Sequence, residues 1–397
     1  MNRPLNILFI HDYPHAEGGG VEVQTFQDAR ALASLGHSVT IATTRTVSET
    51  FTTDAHVRYP HIVAPRLCLE KASTEADIVQ LMRCADVIHV QATFSLRDGM
   101  MTALRCADRC GARLVVSLRT TVRHIPFSRI GKLPLIMRQA LLDEFCAHLR
   151  NSRCIISGPS SAVQASLDEL GILRRVHVIH NAKDWDELDT QALHGPVIPR
   201  VAITYAGELS HMKGVDVLMR ALVKLKRVLS PRSVRVIGAG QDERKLLALA
   251  QKLGVGSLLR FEGYISHDRM PAFLRATDVL AVPSRTESWC NVAMEALGLG
   301  TPVVASDIEG LAELLDGGRR GLLFPLGDAH ALAIALEKVL YSRVIRARLT
   351  APHISREVRT TYCIKKRITE LLSFYDTIGA QHYTENINPQ VRVGSLV

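Results

Sequence analysis

The chain is expected to fold as α/β, in two doubly wound domains built on parallel sheets, and three observations predict this. At 397 residues it exceeds the length at which a single hydrophobic core stops growing. Short apolar runs recur along it, each bounded by turn residues and followed by a stretch of helical periodicity, the alternation that gives βαβ units. Hydrophobic residues make up 47% of the chain but aromatic residues only 5%, which fits aliphatic strands buried on both faces better than an all-β architecture.

In order, Leu5–Ile10 reads as a buried strand, and the loop from His11 ends in Gly18-Gly19-Gly20. Val21–Leu35 has helical periodicity up to Gly36, and Ser38–Thr43 completes the first βαβ unit. Glycines directly before a helix let the backbone approach a ligand, although a flexible turn needs the same residues. The Gly-x-Gly-x-x-Gly dinucleotide fingerprint is missing. Further strands are expected at Ala85–Val90, Ala112–Leu118, Cys154–Ser157 and Val176–Ile179. The stretch from Phe127 to Leu142 mixes Leu, Ile and Met with Arg129, Lys132 and Arg138; it suits either an anionic membrane interface or a core-facing helix with a charged outer face. Asn181 is a turn residue or a substrate contact, and the Gly/Pro content of Leu193–Pro199 marks a hinge. This places the first domain at residues 1–194 and the second at 195–354, then a crossing helix at 355–378 and a loose tail at 379–397.

The second domain opens with strand Ala202–Ala206 and the loop Gly207–Gly214, leading to a helix from Val215. Lys213 in that loop can supply a positive charge to a phosphate. Strands at Val234 and Leu259 follow, and then the stretch around which the chain is organised. Val279–Val282 is a strand stopped by Pro283, and Ser288 or Asn291 can cap a helix running to Gly298 or Gly300. Glu287 then precedes the helix, and Glu295 returns to about the same face roughly 12 Å further on. The helix N-terminus between them suits a phosphate, and a carboxylate can accept both hydrogen bonds of a vicinal diol.

The Glu-x7-Glu arrangement followed by Gly300-Thr-Pro302-Val-Val-Ala-Ser306 resembles the donor-site signature of family-4 retaining glycosyltransferases of the GT-B architecture. That resemblance implies two Rossmann-like domains facing a central cleft, with the acceptor on the first and a nucleotide-diphosphate sugar on the second. It implies that Glu295 holds the ribose and that Glu287, with the amides of Asn291 and Val292, faces the donor sugar. Gly19-Gly20-Val-Glu22 matches the family's first loop, so Gly19 and Gly20 are expected at the donor phosphates and the acceptor. Lys213 matches the lysine of the Gly-Arg-x5-Lys-Gly loop and is expected, with Glu287, to act in catalysis; the loop's arginine is here Glu208, for which Arg285 is one possible compensation. Where the family carries a histidine after the fourth strand stands Arg119, with His124 five residues on. Arg119 either grips an acidic acceptor or donor phosphate, or is a solvated loop arginine. Asn181-Ala182-Lys183-Asp184 resembles the family's Asn-Gly-Val-Asp.

The implied reaction moves a sugar from a nucleotide-diphosphate sugar to an acceptor hydroxyl, retaining anomeric configuration, in polysaccharide, lipopolysaccharide or other glycoconjugate biosynthesis. The acceptor is a sugar, a lipid-linked or a small molecule. A nucleotide-sugar 2-epimerase or a non-catalytic nucleotide-sugar binder are the alternatives. No metal or other cofactor is expected, because no Asp-x-Asp motif accompanies the site. The formal net charge of +9 permits phosphorylated substrates or an anionic membrane surface, and no aromatic-basic or zinc-finger pattern points to nucleic acid. No apolar stretch reaches the roughly 18 residues of a membrane span, so a cytoplasmic protein, peripheral to the membrane's inner face at most, is expected. The eight cysteines show no Cys-x-x-Cys pair and read as buried reduced thiols.

Overall fold

A computed structural model of the chain describes residues 3–11, 19–43, 79–80, 82–92, 98–110, 113–119 and 135–387. The chain forms two compact units. The first comprises Met1–Pro159, Val163–Ala182 and Ile364–Val397; the second comprises Ser160–Ala162 and Lys183–Cys363.

In the first unit, β1 (Asn6–His11), β2 (Ser38–Thr43), β3 (Val87–Ala92), β4 (Arg113–Leu118), β5 (Ile155–Gly158) and β6 (Val176–Val178) form a parallel sheet in the order β2-β1-β3-β4-β5-β6. Successive side chains point to opposite faces, and both faces are covered. Leu8, Ile88, Val116 and Ile156 join one apolar cluster, while Ile7, Phe9, Val87 and Val115 join another. The second cluster includes Leu371, Tyr375 and Ile378 of the last helix, Ile364–Ile387. That helix is fixed by polar contacts too. Arg367 forms a bidentate pair with Asp28, and the Tyr375 hydroxyl lies 2.6 Å from His89 Nδ1. Burial holds the His89 imidazole well below its ordinary pKa, and Arg119 and Arg367 lower it further.

The second sheet contains β7 (Val201–Ala206), β8 (Val234–Ile237), β9 (Leu259–Gly263), β10 (Thr277–Val282), β11 (Val303–Ser306) and β12 (Leu322–Phe324), all parallel, in the order β12-β11-β10-β7-β8-β9. Counted from β7, this is the doubly wound order 3-2-1-4-5-6, with its topological switch point between β7 and β10. Val279 and Ala281 face one core, Leu280 and Val282 the other.

The expected strands are present, but three boundaries differ. The chain leaves the first unit at Ala182, not at residue 194, and returns to it at Ile364. The helix Trp185–His194 belongs to the second unit because Trp185 and Leu188 are buried in its core. Two helices, Pro352–Thr361 and Ile364–Ile387, replace the single helix of 355–378, and the unit boundary falls between them. The last helix reaches Ile387, into the segment expected to be a loose tail. Among the described residues, no helix is long and apolar enough to cross a membrane, and no group of His, Cys, Asp and Glu could hold a metal ion. Cys106, Cys146, Cys154 and Cys290 are buried thiols as expected, whereas Cys84 is exposed.

The second unit carries an acid-sensitive fastening. Glu357 accepts from Arg319 Nη2 and Arg320 Nη2, each at 2.5 Å, and these bonds, Arg319's first, pull its carboxyl from 4.5 to about 2. A folded-state pKa below the unfolded one gives stability that is complete above about pH 4.5 and lost as pH falls through about 2. The carboxylate is one-third exposed, so solvent screening limits the contribution to about 1 kcal/mol. Glu357→Gln is expected to lower stability at neutral pH by that amount and to flatten the acid limb of the stability curve; an unchanged limb in pH-dependent urea unfolding contradicts this.

Candidate active site

At the switch point of the second sheet, the loops after β7 and β10 meet. The β7 loop runs from Gly207 through the short turn His211–Lys213 to Gly214, where the helix Val215–Leu225 starts. Gly214 has φ +68°, and a Cβ there would stand 1.9 Å from the Pro283 carbonyl oxygen, so only glycine lets the loops approach this closely. The backbone N–H of Arg285 donates to the Met212 carbonyl at 2.8 Å, which fixes their register.

This contact places Lys213 and Glu287 side by side, although 74 positions separate them: Lys213 Nζ donates to Glu287 Oε1 at 2.5 Å. Ser284 Oγ donates to the same oxygen at 3.0 Å. The Glu287 side chain is only 10% exposed and that of Lys213 28%. Arg285, by contrast, donates to both oxygens of Asp216 at 2.8 Å and to the His211 carbonyl at 2.6 Å. The Asp216 hydrogen bond raises its pKa further. Arg285 braces the Lys213 turn, and its charge is paired with that of Asp216. Glu208 is half-buried, and its carbonyl accepts from the Tyr205 hydroxyl at 2.8 Å.

The helix after β10 spans Asn291–Gly298, with Asn291 and Val292 half-buried in its first turn. Neither Ser288 nor Asn291 is its cap. Cys290 occupies that position and makes no side-chain capping bond. Burial, with the Glu287 charge second, pushes the Cys290 thiol to about 12, so it stays neutral. Glu295 is 6% exposed, and its Oε1 lies 2.7 Å from Lys183 Nζ. The two glutamates thus share one design: each holds a lysine through Oε1, and no hydrogen bond to Oε2 is found among the described residues.

In the first unit, Gly19 precedes the helix Gly20–Ser34, and its N–H donates to Glu22 Oε2 at 2.7 Å. The Gly19-Gly20-Val21-Glu22 stretch therefore closes on itself as a cap. Arg119 is not a solvated loop arginine. It is 6% exposed, with Nε donating to Gln91 at 2.5 Å and Nη1 to Asn181 at 2.9 Å. Burial, then the neighbouring Arg367 charge, lowers its pKa to about 9. Asn181 has a definite side-chain role in this contact beyond the turn. His124 and the start of the Phe127–Leu142 stretch lie outside the described residues.

Two family models match the chain: one described as Glycosyl transferases group 1, over residues 199–352, and one as Glycosyltransferase Family 4, over residues 18–187. The chain belongs to glycosyltransferase family 4. It is an enzyme that transfers a sugar, with the GT-B fold. Among curated relatives, the lipopolysaccharide core biosynthesis glycosyltransferase LpsE of Rhizobium meliloti is 31% identical over 56% of this chain and 61% of its own length. The D-inositol 3-phosphate glycosyltransferase of a Nocardioides species is 27% identical over 88% of this chain and 84% of its own. The solved structure of Anabaena HepE in complex with UDP is similar in fold, with a TM-score of 0.69, 18% identity, and coverage of 94% of this chain and 100% of that one.

For this glycosyltransferase, the sequence reading missed Lys183 and Ser284. Ser284 looks like any loop serine. Lys183 left one signal: a lysine at the position where the Asn-Gly-Val-Asp pattern carries valine.

Proposed function

We propose that the second unit binds a nucleotide-diphosphate sugar and that the enzyme moves the sugar, with retention, to an acceptor hydroxyl in glycoconjugate biosynthesis. The observation that carries this reading is the Lys213–Glu287 contact at the switch point, with Glu295 about one turn into the adjoining helix. In this reading Glu295 accepts from the ribose diol, while the first-turn amides of Asn291 and Val292 and the Lys213 ammonium meet the diphosphate. The Lys213 ammonium, fixed beside Glu287, brings N–H donors and a positive charge to the phosphate oxygens. Glu287 Oε2 orients the sugar. As the bond from the anomeric carbon to the phosphate oxygen breaks, negative charge grows on the diphosphate, where a preorganised cation stabilises it most. The acceptor oxygen bonds to the anomeric carbon from the face the diphosphate leaves, and its proton passes to the departing phosphate oxygen. The acceptor is a sugar, lipid-linked or small molecule. LpsE, a lipopolysaccharide core biosynthesis glycosyltransferase, supports a glycoconjugate role, and HepE, solved with UDP-glucose, supports a nucleotide-sugar donor.

A thermal-shift screen of UDP, GDP and ADP and their sugar derivatives, followed by mass spectrometry with candidate acceptors, tests the donor reading. No stabilisation by any nucleotide sinks it. NMR of the product's anomeric proton tests retention alone.

Glu208 offers a second test. A carboxylate at the loop position where the family has arginine repels a diphosphate, so Glu208→Arg is expected to tighten nucleoside-diphosphate binding about five- to tenfold and to steepen its salt dependence. Unchanged affinity and salt slope, read by calorimetry at two ionic strengths, would take Glu208 out of the phosphate subsite.

A further inference from the structure

The Lys183 side chain is 5% exposed and its partner Glu295's 8%, so neither charge is there to meet solvent. Burying an ammonium and a carboxylate is costly, and a hydrophobic residue of similar size usually serves stability as well or better. The family pattern has valine at this position, and the chain carries lysine. The lysine is also held from both sides. Its backbone N–H donates to the Tyr362 carbonyl at 3.0 Å, and Lys183 forms an isolated parallel bridge with Cys363. Two residues on, Trp185 packs so closely on Gly298, at the end of the Glu295 helix, that a Cβ on Gly298 would meet the indole at 2.2 Å. The lysine's segment is therefore fixed both to Tyr362–Cys363 and to the end of the helix that carries the carboxylate.

We propose that Lys183 sets the selectivity of the donor site for ribose over deoxyribose, by anchoring Glu295 through Oε1 so that Oε2 is held in place to accept from the ribose hydroxyls. This rests on the reading that Glu295 binds ribose. A buried carboxylate without a cation turns freely or takes up a proton, and either change removes a fixed acceptor. Lys183 is a positioning residue: it acts through Glu295, and its ammonium leaves the diphosphate to Lys213.

The experiment is calorimetric binding of UDP and GDP, of their 2′,3′-dideoxy counterparts, and of inorganic pyrophosphate, to the full chain and its variants. Wild type is expected to bind the ribonucleotide about ten- to a hundredfold more tightly than the dideoxy form, the scale of a hydrogen bond to a charged group. In Lys183→Met this ratio is expected to fall below about threefold, with pyrophosphate affinity unchanged within about twofold. Adding Glu295→Ala to Lys183→Met should lower the ratio no further, since both act through one contact. Should Lys183→Met fail to fold, Lys183→Met/Glu295→Gln, which leaves no buried charge, is expected to show the same lost ratio. A wild-type ratio in Lys183→Met overturns the proposal, as does an equal loss of pyrophosphate affinity, which would put Lys183 at the diphosphate. A wild type that binds nucleotide without discriminating the sugar instead removes Glu295 from the ribose, and the donor-site reading fails with it.

Discussion

Lys213→Ala is expected to lower kcat about a hundred- to a thousandfold, the cost of removing one preorganised donor from a developing negative charge, while KM changes by less than about tenfold. The reasoning depends on when the charge appears. A ground-state diphosphate is already anionic and also held by helix amides, but the leaving diphosphate gains charge as the glycosidic bond breaks. Lys213 is fixed for that moment by Glu287 Oε1 at 2.5 Å and by the Gly214–Pro283 approach beneath it. The same contact predicts non-additivity. With Lys213 gone, Glu287 remains nearly buried with Ser284 as its hydrogen-bond donor among the described residues, and the carboxylate proposed to orient the sugar loses its cation. Lys213→Ala, Glu287→Ala and the double variant should therefore lose similar activity instead of multiplying. Steady-state kinetics with the cognate donor decide the matter. A raised KM with intact kcat would make Lys213 a ground-state anchor only.

Most of the fold was legible in the sequence because a parallel sheet covered on both faces writes itself as continuous apolar runs. Val279–Val282 and Val303–Ser306 are such runs, and the structure lengthens the first only by Thr277 and Asp278. Those two were not legible because their polar side chains are satisfied by tertiary partners: Thr277 by Thr204 and the Phe273 carbonyl, and Asp278 by Arg200 and Arg346. The unit boundary was misplaced for a similar reason. A Gly/Pro stretch marked residues 193–199, but the burial of Trp185 against Gly298 decides where the second core begins, and no local pattern announces that contact. The site divides the same way. Glu287, Glu295 and Lys213 were legible as types at a spacing, whereas their pairing was not, since Lys213 with Glu287 and Lys183 with Glu295 are contacts between segments far apart in the sequence. Arg119 shows the converse limit: a loop position suggests solvent, and only the packing of Gln91 and Asn181 around it reveals a buried guanidinium.

Asp28→Asn is expected to destabilise the first unit by about 3–5 kcal/mol, the cost of leaving one member of a buried ion pair uncompensated. Asp28 and Arg367 have side chains 0% and 3% exposed, joined by Nε to Oδ1 and Nη2 to Oδ2, each at 2.7 Å. The second oxygen-bearing partners are also internal: Gln24 donates to Asp28 at 2.9 Å, and Arg367 Nη1 donates to the Ile179 and His180 carbonyls. Removing the carboxylate charge leaves Arg367 buried near Arg119, whose own pKa that guanidinium already depresses. The pair ties the last helix to the first unit, so hydrogen exchange over residues 364–378 should rise before exchange in β1 or β3 does. Arg367→Met is expected to cost a similar amount by stranding Asp28. Asp28→Leu/Arg367→Met, which removes both charges at roughly constant volume, should be markedly more stable than the sum of the single changes predicts. Urea unfolding of the four proteins reads this cycle. If Asp28→Asn costs less than about 1 kcal/mol and the changes simply add, the pair is not a closed buried unit, and the last helix is held by its other contacts, the apolar face with Leu371 and Ile378 and the Tyr375–His89 bond.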